Sequence, residues 1–157
     1  MKLGVTGHQD LGDATEWCRA SISFAVGRIG PTAGYTSLAV GADQLFAECL
    51  IHSAIPFIAV VPCSQYESTF AGASLVAYRN LLRGAVQIDV LPFREPSEEA
   101  FLSAGKRVVD SSEVLLAIWD GERARGRGGT GDIVAYSIKR GLPVLHINPV
   151  SRAVGFV

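Results

Sequence analysis

The sequence predicts a three-layer, doubly wound α/β fold built on a mainly parallel sheet of six strands. Short apolar segments alternate along the chain with amphipathic segments of helical period, a pattern typical of a parallel sheet covered by helices on both faces. Neither a linker, a repeat nor a low-complexity stretch interrupts this alternation. The 157 residues are therefore interpreted as one domain spanning positions 1–157.

Six apolar segments have the length and composition of buried strands. Pro56 and Pro62 bracket the third of them, and Gly141-Leu142-Pro143 leads into the last. Predicted helices separate consecutive strands, so the connections are of the βαβ type and the strands run parallel. The predicted strands cover residues 2–6, 36–40, 57–61, 86–91, 114–119 and 144–147.

The intervening segments have helical periodicity. Asp13 and Glu16 form a predicted capping box at the start of the first helix, which Gly30-Pro31 ends. Its predicted apolar stripe consists of Cys18, Ile22, Ala25, Val26 and Ile29. The later helices are predicted after Gly41, as a broken helix over 65–84, and over 98–112 and 131–140.

Composition limits the expected partners. The formal net charge is −1, so we expect no nucleic-acid partner. No apolar run is long enough to span a membrane, and Met1-Lys2 leads directly into a strand, so neither a membrane partner nor a signal peptide is expected. Three widely spaced cysteines in apolar contexts indicate reduced residues of a cytoplasmic protein: Cys18, Cys49 and Cys63.

The most informative segment lies near the C-terminus, where a strand ending at Trp119-Asp120 is followed by an arginine-bearing loop and a glycine-rich turn. Exposed amide N–H groups at a helix N-terminus bind anions when no side chains are in the way. Open α/β sheets bind their ligands at the carboxyl ends of the strands. The segment therefore predicts a pocket for a phosphorylated ligand, most economically a nucleotide.

Two partial motifs do not support the functions that they first suggest. Residues 126–131 satisfy G-x-G-x-x-G, but a dinucleotide motif must follow its strand immediately within a βαβ unit, so a nicotinamide dinucleotide site is not predicted. Residues 7–14 have the glycine spacing of a P-loop. Asp13 and Ala14 stand where that motif has lysine and serine or threonine, so ATP hydrolysis is not supported.

Chemistry-bearing residues concentrate in the loops after the predicted strands, whereas the strands are almost wholly apolar. In a parallel sheet these loops meet at one edge. The predicted ligand-binding residues are Thr6, Gly7, His8, Gly41, Asp43, Glu48, Pro62, Tyr66, Asp120, Gly128, Gly129, Thr130, Gly131 and Asp132. No zinc-type spacing occurs, and neither a metal nor a separate cofactor is predicted.

Each candidate also has a structural interpretation. The glycines permit tight turns, and Asp43 and Asp132 are suited to cap their helices. Asp132 lies in the first turn of the last helix, where the helix dipole favours an ionised carboxylate, so it is a catalytic candidate together with Glu48. His8 has no nucleophile beside it in the sequence. Three arginines form either a solvated loop or a phosphate clamp: Arg123, Arg125 and Arg127.

An ordered set of segments resembles the SLOG superfamily, the Rossmann-like superfamily of the DNA-processing protein DprA and the "lonely guy" phosphoribohydrolases. The segments are Val5-Thr6-Gly7-His8, Gly41-Ala42-Asp43 with Phe46-Ala47-Glu48, Val60-Val61-Pro62 with Tyr66, and 106–113 running into Trp119-Asp120-Gly121 and Gly129-Thr130. The resemblance covers Lys2 to about Asn148 and is closest to the YpsA-like branch, with the description lysine decarboxylase-like. It implies a parallel Rossmann-like sheet and a nucleotide or nucleotide-derived ligand at the strand ends.

The resemblance also implies a homodimer, which the 48% hydrophobic content favours, with helices bearing Trp17 or Tyr136 as candidate interfaces.

The glycine turn partly matches the phosphoribohydrolase motif P-G-G-x-G-T-x-x-E. The segment 128–131 matches the glycines of the motif, but Arg127 replaces its proline and Asp132 its threonine. The segment 129–136 is similar to the G-T-x-x-E-I-G-Y-A motif of nucleoside deoxyribosyltransferases, which keeps Asp132 as a candidate catalytic carboxylate.

These observations lead to two main functional hypotheses. A third possibility is an interaction module whose pocket is vestigial. The main hypothesis is a nucleotide-binding domain that acts as a sensor or recognition protein. The alternative is an enzyme that hydrolyses or exchanges the N-glycosidic bond of a nucleoside monophosphate. Such an enzyme needs a carboxylate beside an oxocarbenium-like transition state, and Asp132, Glu48 and Asp43 are the plausible suppliers.

Overall fold

The computed structural model describes residues 1–123 and 127–157. Within them, seven strands form one sheet: β1 (Lys2–Gly7), β2 (Ala33–Thr36), β3 (Phe57–Val61), β4 (Gln87–Val90), β5 (Val114–Ile118), β6 (Val144–Ile147) and β7 (Val154–Phe156). The α-helices are α1 (Thr15–Ile29), α2 (Ala42–His52), α3 (Ala73–Gly84), α4 (Glu98–Asp110) and α5 (Thr130–Lys139). Short 3₁₀ turns cover Gly12–Ala14 and Tyr66–Thr69.

The strand order is β4-β3-β2-β1-β5-β6-β7, and every neighbouring pair is parallel except β6 with β7. The chain proceeds outward from β1 to β4, and α4 then carries it back to β5 on the other side of β1. This reversal makes the adjacent carboxyl ends of β1 and β5 the topological switch point, where a crevice opens in sheets of this kind. The register there pairs Gly7 with Ile118.

Both faces of the sheet are covered, which confirms the predicted three-layer fold. All five residues of β5 are buried, as expected for a central parallel strand. Leu116 and Ile118 belong to the core cluster that includes residues of α1, α2 and α3. Leu115 and Ala117 point to the opposite face and pack in the cluster formed with α4 and α5.

The predicted second strand, 36–40, is placed too late in the chain, because β2 ends at Thr36. Leu38 adopts a positive φ of 58°, which ends the extended backbone. The Asp43 carboxylate accepts the amide N–H groups of Ser37 and Ala39, which would otherwise be available to a strand ladder.

Two further expectations are corrected. The capping box does not form, since Asp13 lies within a 3₁₀ turn that precedes α1, and the first helix has no side-chain cap. The sheet has seven strands, since Val154–Phe156 pairs antiparallel with β6 after a turn in which the Asn148 side chain accepts two amide N–H groups. A three-residue strand containing a glycine has almost no sequence signal.

The three cysteines are free, and burial raises the pKa of each thiol. Of the helices in the described part of the chain, none has both the length and the apolar character needed to cross a bilayer.

Candidate functional site

A cavity of about 630 Å³ opens at the carboxyl ends of β1, β2, β3 and β5, across the switch point. Its volume lies in the range of small-molecule sites. Most of the predicted ligand-binding residues line it: Thr6, Gly7, His8, Asp43, Pro62, Tyr66, Asp120, Gly128, Gly129, Thr130 and Gly131.

Three predicted residues lie elsewhere. Gly41 and Glu48 line a smaller neighbouring cavity, where the Glu48 carboxylate forms an ion pair with Arg19. Gly41 has a φ of +87°, and a Cβ there would lie 2.4 Å from the Gln9 carbonyl oxygen, so close backbone packing accounts for this glycine. Asp132 does not line the main cavity, because its carboxylate turns back to accept the amide N–H of Gly128 at 3.1 Å.

The glycine turn forms one end of the cavity. Gly128 has a φ of +85°, and a Cβ there would lie 2.7 Å from the Leu102 amide nitrogen, so this position requires glycine. Helix α5 then begins without a side-chain cap. Among the described residues, the amide N–H groups of Gly129, Thr130 and Gly131 find no acceptor. Unpaired amides at a helix N-terminus are suited to an anion.

Two arginines strengthen the positive character of this end. Arg123 and Arg127 both line the cavity beside the glycine turn. Guanidinium groups bind phosphate oxygens through paired hydrogen bonds. The third arginine of the predicted loop, Arg125, and Gly126 of the G-x-G-x-x-G pattern lie outside the described residues.

His8 and Asp120 meet at the switch point. The Asp120 amide N–H donates to Nε2 of His8 at 3.2 Å, which requires that this nitrogen carry no proton. Nε2 also lies 3.3 Å from the Asp120 carboxylate, so a protonated ring would form an ion pair instead. The Glu122 amide and, secondarily, His8 lower the pKa of Asp120. The pair therefore places a carboxylate beside an imidazole ring in the cavity.

A histidine of β6 holds the loop that follows β5. His146 Nε2 lies 2.7 Å from the Trp119 carbonyl oxygen, and since a carbonyl only accepts, this nitrogen carries the hydrogen. The Trp119 indole N–H in turn donates to the Glu122 carbonyl. His146 thus has a structural role, since it holds the backbone of Trp119, a residue that lines the cavity.

Asp43 contributes a buried carboxyl group to the cavity. Its Oδ2 accepts the amide N–H groups of Ser37 at 3.2 Å and Ala39 at 3.4 Å. Burial raises its pKa from 3.8 to about 7, and the hydrogen bonds from Ala39, Ser37 and the Thr36 side chain oppose that rise only in part. Near neutral pH this group can therefore both accept and donate a proton.

An aromatic cluster lines the cavity on the side of β3 and α4, where Phe101 precedes Leu102, the residue that packs against Gly128. Tyr66, Phe70 and Phe101 line it, and the Tyr66 ring lies edge-on to Phe70 with 5.0 Å between centroids. Tyr78 stacks behind Phe70 at 4.5 Å without lining the cavity. The sequence predicted Tyr66 but missed Phe70 and Phe101, because each occupies an apolar position that is equally typical of the core.

The cavity thus has an aromatic end, an acidic centre and an anion-binding end. No group of three or more histidine, cysteine or acidic side chains suited to a metal ion occurs within residues 1–123 and 127–157. The chemistry available is stacking, hydrogen bonding, proton transfer and phosphate binding.

No family model matches the sequence, and no curated protein matches it significantly. Solved structures do match its fold. DNA processing protein A of Helicobacter pylori, described for its single-stranded DNA binding mode, superposes with a TM-score of 0.67 and 16% identity over 93% of this chain and 64% of that one. DprA of Streptococcus pneumoniae gives 0.68 and 15%, over 92% and 49% of the two chains. The molybdenum cofactor binding protein of Rippkaea orientalis gives 0.63 and 16%, over 94% and 76%.

The fold and the switch-point cavity define this chain as a doubly wound Rossmann-like protein, and its fold is the one seen in these solved structures. The predicted resemblance is confirmed at that level, since identities of 15–16% establish the fold alone. The chain spans less than two thirds of the length of either DprA chain. Its assignment to the YpsA-like branch stays a prediction.

One expectation is contradicted by these comparisons. The net charge led us to exclude nucleic acid as a partner, yet a protein of this fold is described by its binding of single-stranded DNA. A domain without a net basic charge can carry a local cationic site, and here Arg123 and Arg127 lie together at one end of the cavity. Net charge is therefore not a basis for excluding nucleic acid.

Proposed function

We propose that this chain binds a nucleotide or nucleotide-derived small molecule in the switch-point cavity, with the phosphate at the N-terminus of α5. The observation that carries the proposal is the set of unpaired amides at Gly129, Thr130 and Gly131, which line the cavity beside Arg123 and Arg127. Two cationic side chains and a helix N-terminus facing one space favour an anion of phosphate type.

The aromatic end supports the nucleotide part of the proposal. Strands β3, β2, β1 and β5 are consecutive in the sheet, so the carboxyl ends of β3 and β5 are three strand spacings, about 14 Å, apart. A ligand that reaches from one to the other needs a flat ring, a linker and a phosphate. Neighbouring structures are described as binding single-stranded DNA and the molybdenum cofactor, and both ligand types contain such parts.

We further propose that the domain recognises its ligand as a cytoplasmic sensor of the YpsA-like branch. The contacts of Asp132 support recognition rather than catalysis. The Asp132 carboxylate, a candidate for the catalytic group, accepts a hydrogen bond from the Gly128 amide and does not line the main cavity. The free cysteines are compatible with a reducing compartment.

A thermal-shift series tests the binding proposal. Nucleoside monophosphates, ribose 5-phosphate, inorganic phosphate and a short oligodeoxythymidylate are titrated, and a ligand of the native state raises the Tm. Gly129→Val should abolish the shift, whereas Gly27→Val, on an exposed face of α1 with open space around it, should retain it. The proposal fails if none of these compounds raises the Tm at millimolar concentration.

Asp43 favours a second candidate function, cleavage of an N-glycosidic bond. A carboxyl group whose pKa is raised to about 7 and which lines the cavity has the properties of a general acid for a departing base. Chromatography of nucleoside monophosphates incubated with the protein measures released base. Release that Asp43→Asn abolishes would support the enzyme, and the absence of release with bound nucleotide would support recognition.

A further inference from the structure

We propose that Asp43 and Tyr66 form a ring-recognition subsite, which selects ligands whose flat heteroaromatic ring carries adjacent N–H donors, as the 2-amino-6-oxopurine ring does. The inference rests on the proposed binding of a phosphorylated ligand and specifies what that ligand carries at its other end. It concerns two side chains that line the cavity at the aromatic end.

Tyr66 presents a hydroxyl group without a partner. The residue is only 5% exposed, and among the described residues its hydroxyl makes no hydrogen bond. No polar side-chain atom in the described part of the chain is both fully buried and unpaired, so this hydroxyl retains some exposure. Tyr66 lines the cavity, and a tyrosine hydroxyl can either donate or accept a hydrogen bond.

The backbone anchors the Asp43 carboxyl on one side only. Its Oδ2 is held by the amides of Ser37 and Ala39, and the Thr36 side chain also hydrogen-bonds to the carboxyl, whereas no backbone amide of the described residues donates to Oδ1. The whole residue is 6% exposed and lines the cavity, so the carboxyl meets a ligand there with a fixed orientation. The two residues are also close enough that the Asp43 charge contributes, after burial, to raising the pKa of Tyr66.

The surroundings fit a ring and exclude a phosphate. Tyr66, Phe70 and Phe101 supply aromatic surface, and aromatic groups stack on flat heterocycles. A phosphate beside the Asp43 carboxylate would be repelled, whereas an N–H donor would form a charge-assisted hydrogen bond with it. The ring therefore lies at the β3 end and the phosphate at the α5 end.

The donor pattern follows from these two groups. Above about pH 7, where the Asp43 carboxyl is ionised, its oxygens accept hydrogen bonds only, whereas the Tyr66 hydroxyl accommodates either a donor or an acceptor. A ring edge with a ring N–H next to an exocyclic amino group satisfies both groups at once. A purine without substituents on its six-membered ring stacks equally well but offers no N–H on that edge.

Isothermal titration calorimetry with three probes separates these contributions. The probes are guanosine 5′-monophosphate, purine riboside 5′-monophosphate and ribose 5-phosphate. We expect guanosine monophosphate to bind at least about 10-fold more tightly than purine riboside monophosphate, the lower range for a hydrogen bond to a charged group. Ribose 5-phosphate, which lacks the ring, should bind most weakly.

Conservative variants assign the effect to the two side chains. Tyr66→Phe removes one hydroxyl and should weaken guanosine monophosphate binding about 3- to 10-fold while leaving ribose 5-phosphate unchanged. Tyr78→Phe is the matched control, since Tyr78 belongs to the same aromatic cluster but does not line the cavity. Asp43→Asn should reduce the preference for guanosine monophosphate over purine riboside monophosphate below about 3-fold.

Equal affinity for the three probes, with no effect of Tyr66→Phe, would overturn the ring subsite and leave the phosphate-binding proposal intact. Failure of all three probes to bind would overturn both. Equal losses in Tyr66→Phe and Tyr78→Phe would assign the effect to packing of the aromatic cluster and would likewise overturn the subsite.

Discussion

Replacing Asp43 by asparagine should change how the stability of the protein depends on pH. Burial raises the pKa of Asp43 from 3.8 to about 7 in the folded protein, while the unfolded chain retains the ordinary value. Between these values the unfolded state releases the proton and the folded state keeps it. Folding stability is therefore complete below about pH 4, falls as the pH rises, and levels off above about pH 7.

The magnitude follows from the size of the pKa change. One pH unit corresponds to about 1.4 kcal/mol, so a rise from 3.8 to about 7 amounts to about 4 kcal/mol of lost stability at full ionisation. Other groups titrate over the same range, so the informative quantity is the difference between wild type and variant. The asparagine side chain is nearly isosteric with that of aspartate and does not titrate, so the wild type should lose about 4 kcal/mol relative to Asp43→Asn between about pH 4 and pH 8.

Urea unfolding at intervals of about half a pH unit measures this difference, with the slope of the transition checked for two-state behaviour. Asp13→Asn is the control for loss of one surface carboxyl, because Asp13 is exposed in the 3₁₀ turn before α1. A stability difference between wild type and Asp43→Asn that is constant over this pH range would refute the raised pKa. It would also remove the reason for considering Asp43 as a general acid.

Three further substitutions test the glycine turn and its cap. Gly128→Ala should destabilise the fold by about 1–3 kcal/mol in urea unfolding, because it combines a φ of +85° with a Cβ 2.7 Å from the Leu102 amide nitrogen; an unchanged midpoint would contradict this geometry. Gly129 has a φ of −68°, so Gly129→Val should change the free energy of unfolding by no more than about 0.5 kcal/mol and should remove only ligand binding. A large loss of stability would show that Gly129 has a packing role. Asp132→Asn should lower stability by about 1 kcal/mol through the weakened contact with the Gly128 amide; a loss of base release with unchanged stability would restore Asp132 as a catalytic residue.

The fold was largely predictable because its signals are local. Most of the six parallel strands lie in short, mainly apolar segments, and five of the predicted segments overlap the observed strands closely. The second strand was misplaced because the apolar run 36–40 fits a strand by composition, whereas the Asp43 carboxylate takes up the amides of Ser37 and Ala39. A side chain several residues away thus decides where that strand ends, and composition does not reveal this.

The candidate site was predictable where topology alone brings residues together. Loops after parallel strands meet at one edge, so Thr6, Asp43 and Asp120 were expected to share a cavity, and they do. Side-chain direction was not predictable. Asp132 lies in the expected helical turn, yet its carboxylate reaches back to Gly128. Phe101 is an apolar residue of a predicted helix, and only the tertiary structure shows that it lines the cavity.

The glycines around the switch point are required by backbone packing. A Cβ at Gly7 would lie 2.4 Å from the Ala42 Cβ, and one at Gly41 would contact backbone atoms of His8 and Gln9. These two positions, together with Gly128, are fixed by packing between the loops and helices around the switch point. They build the cavity, whereas its chemistry depends on the side chains that project into it. In this chain, ligand preference has to be inferred from four side chains that line the cavity: Asp43, Tyr66, Arg123 and Arg127.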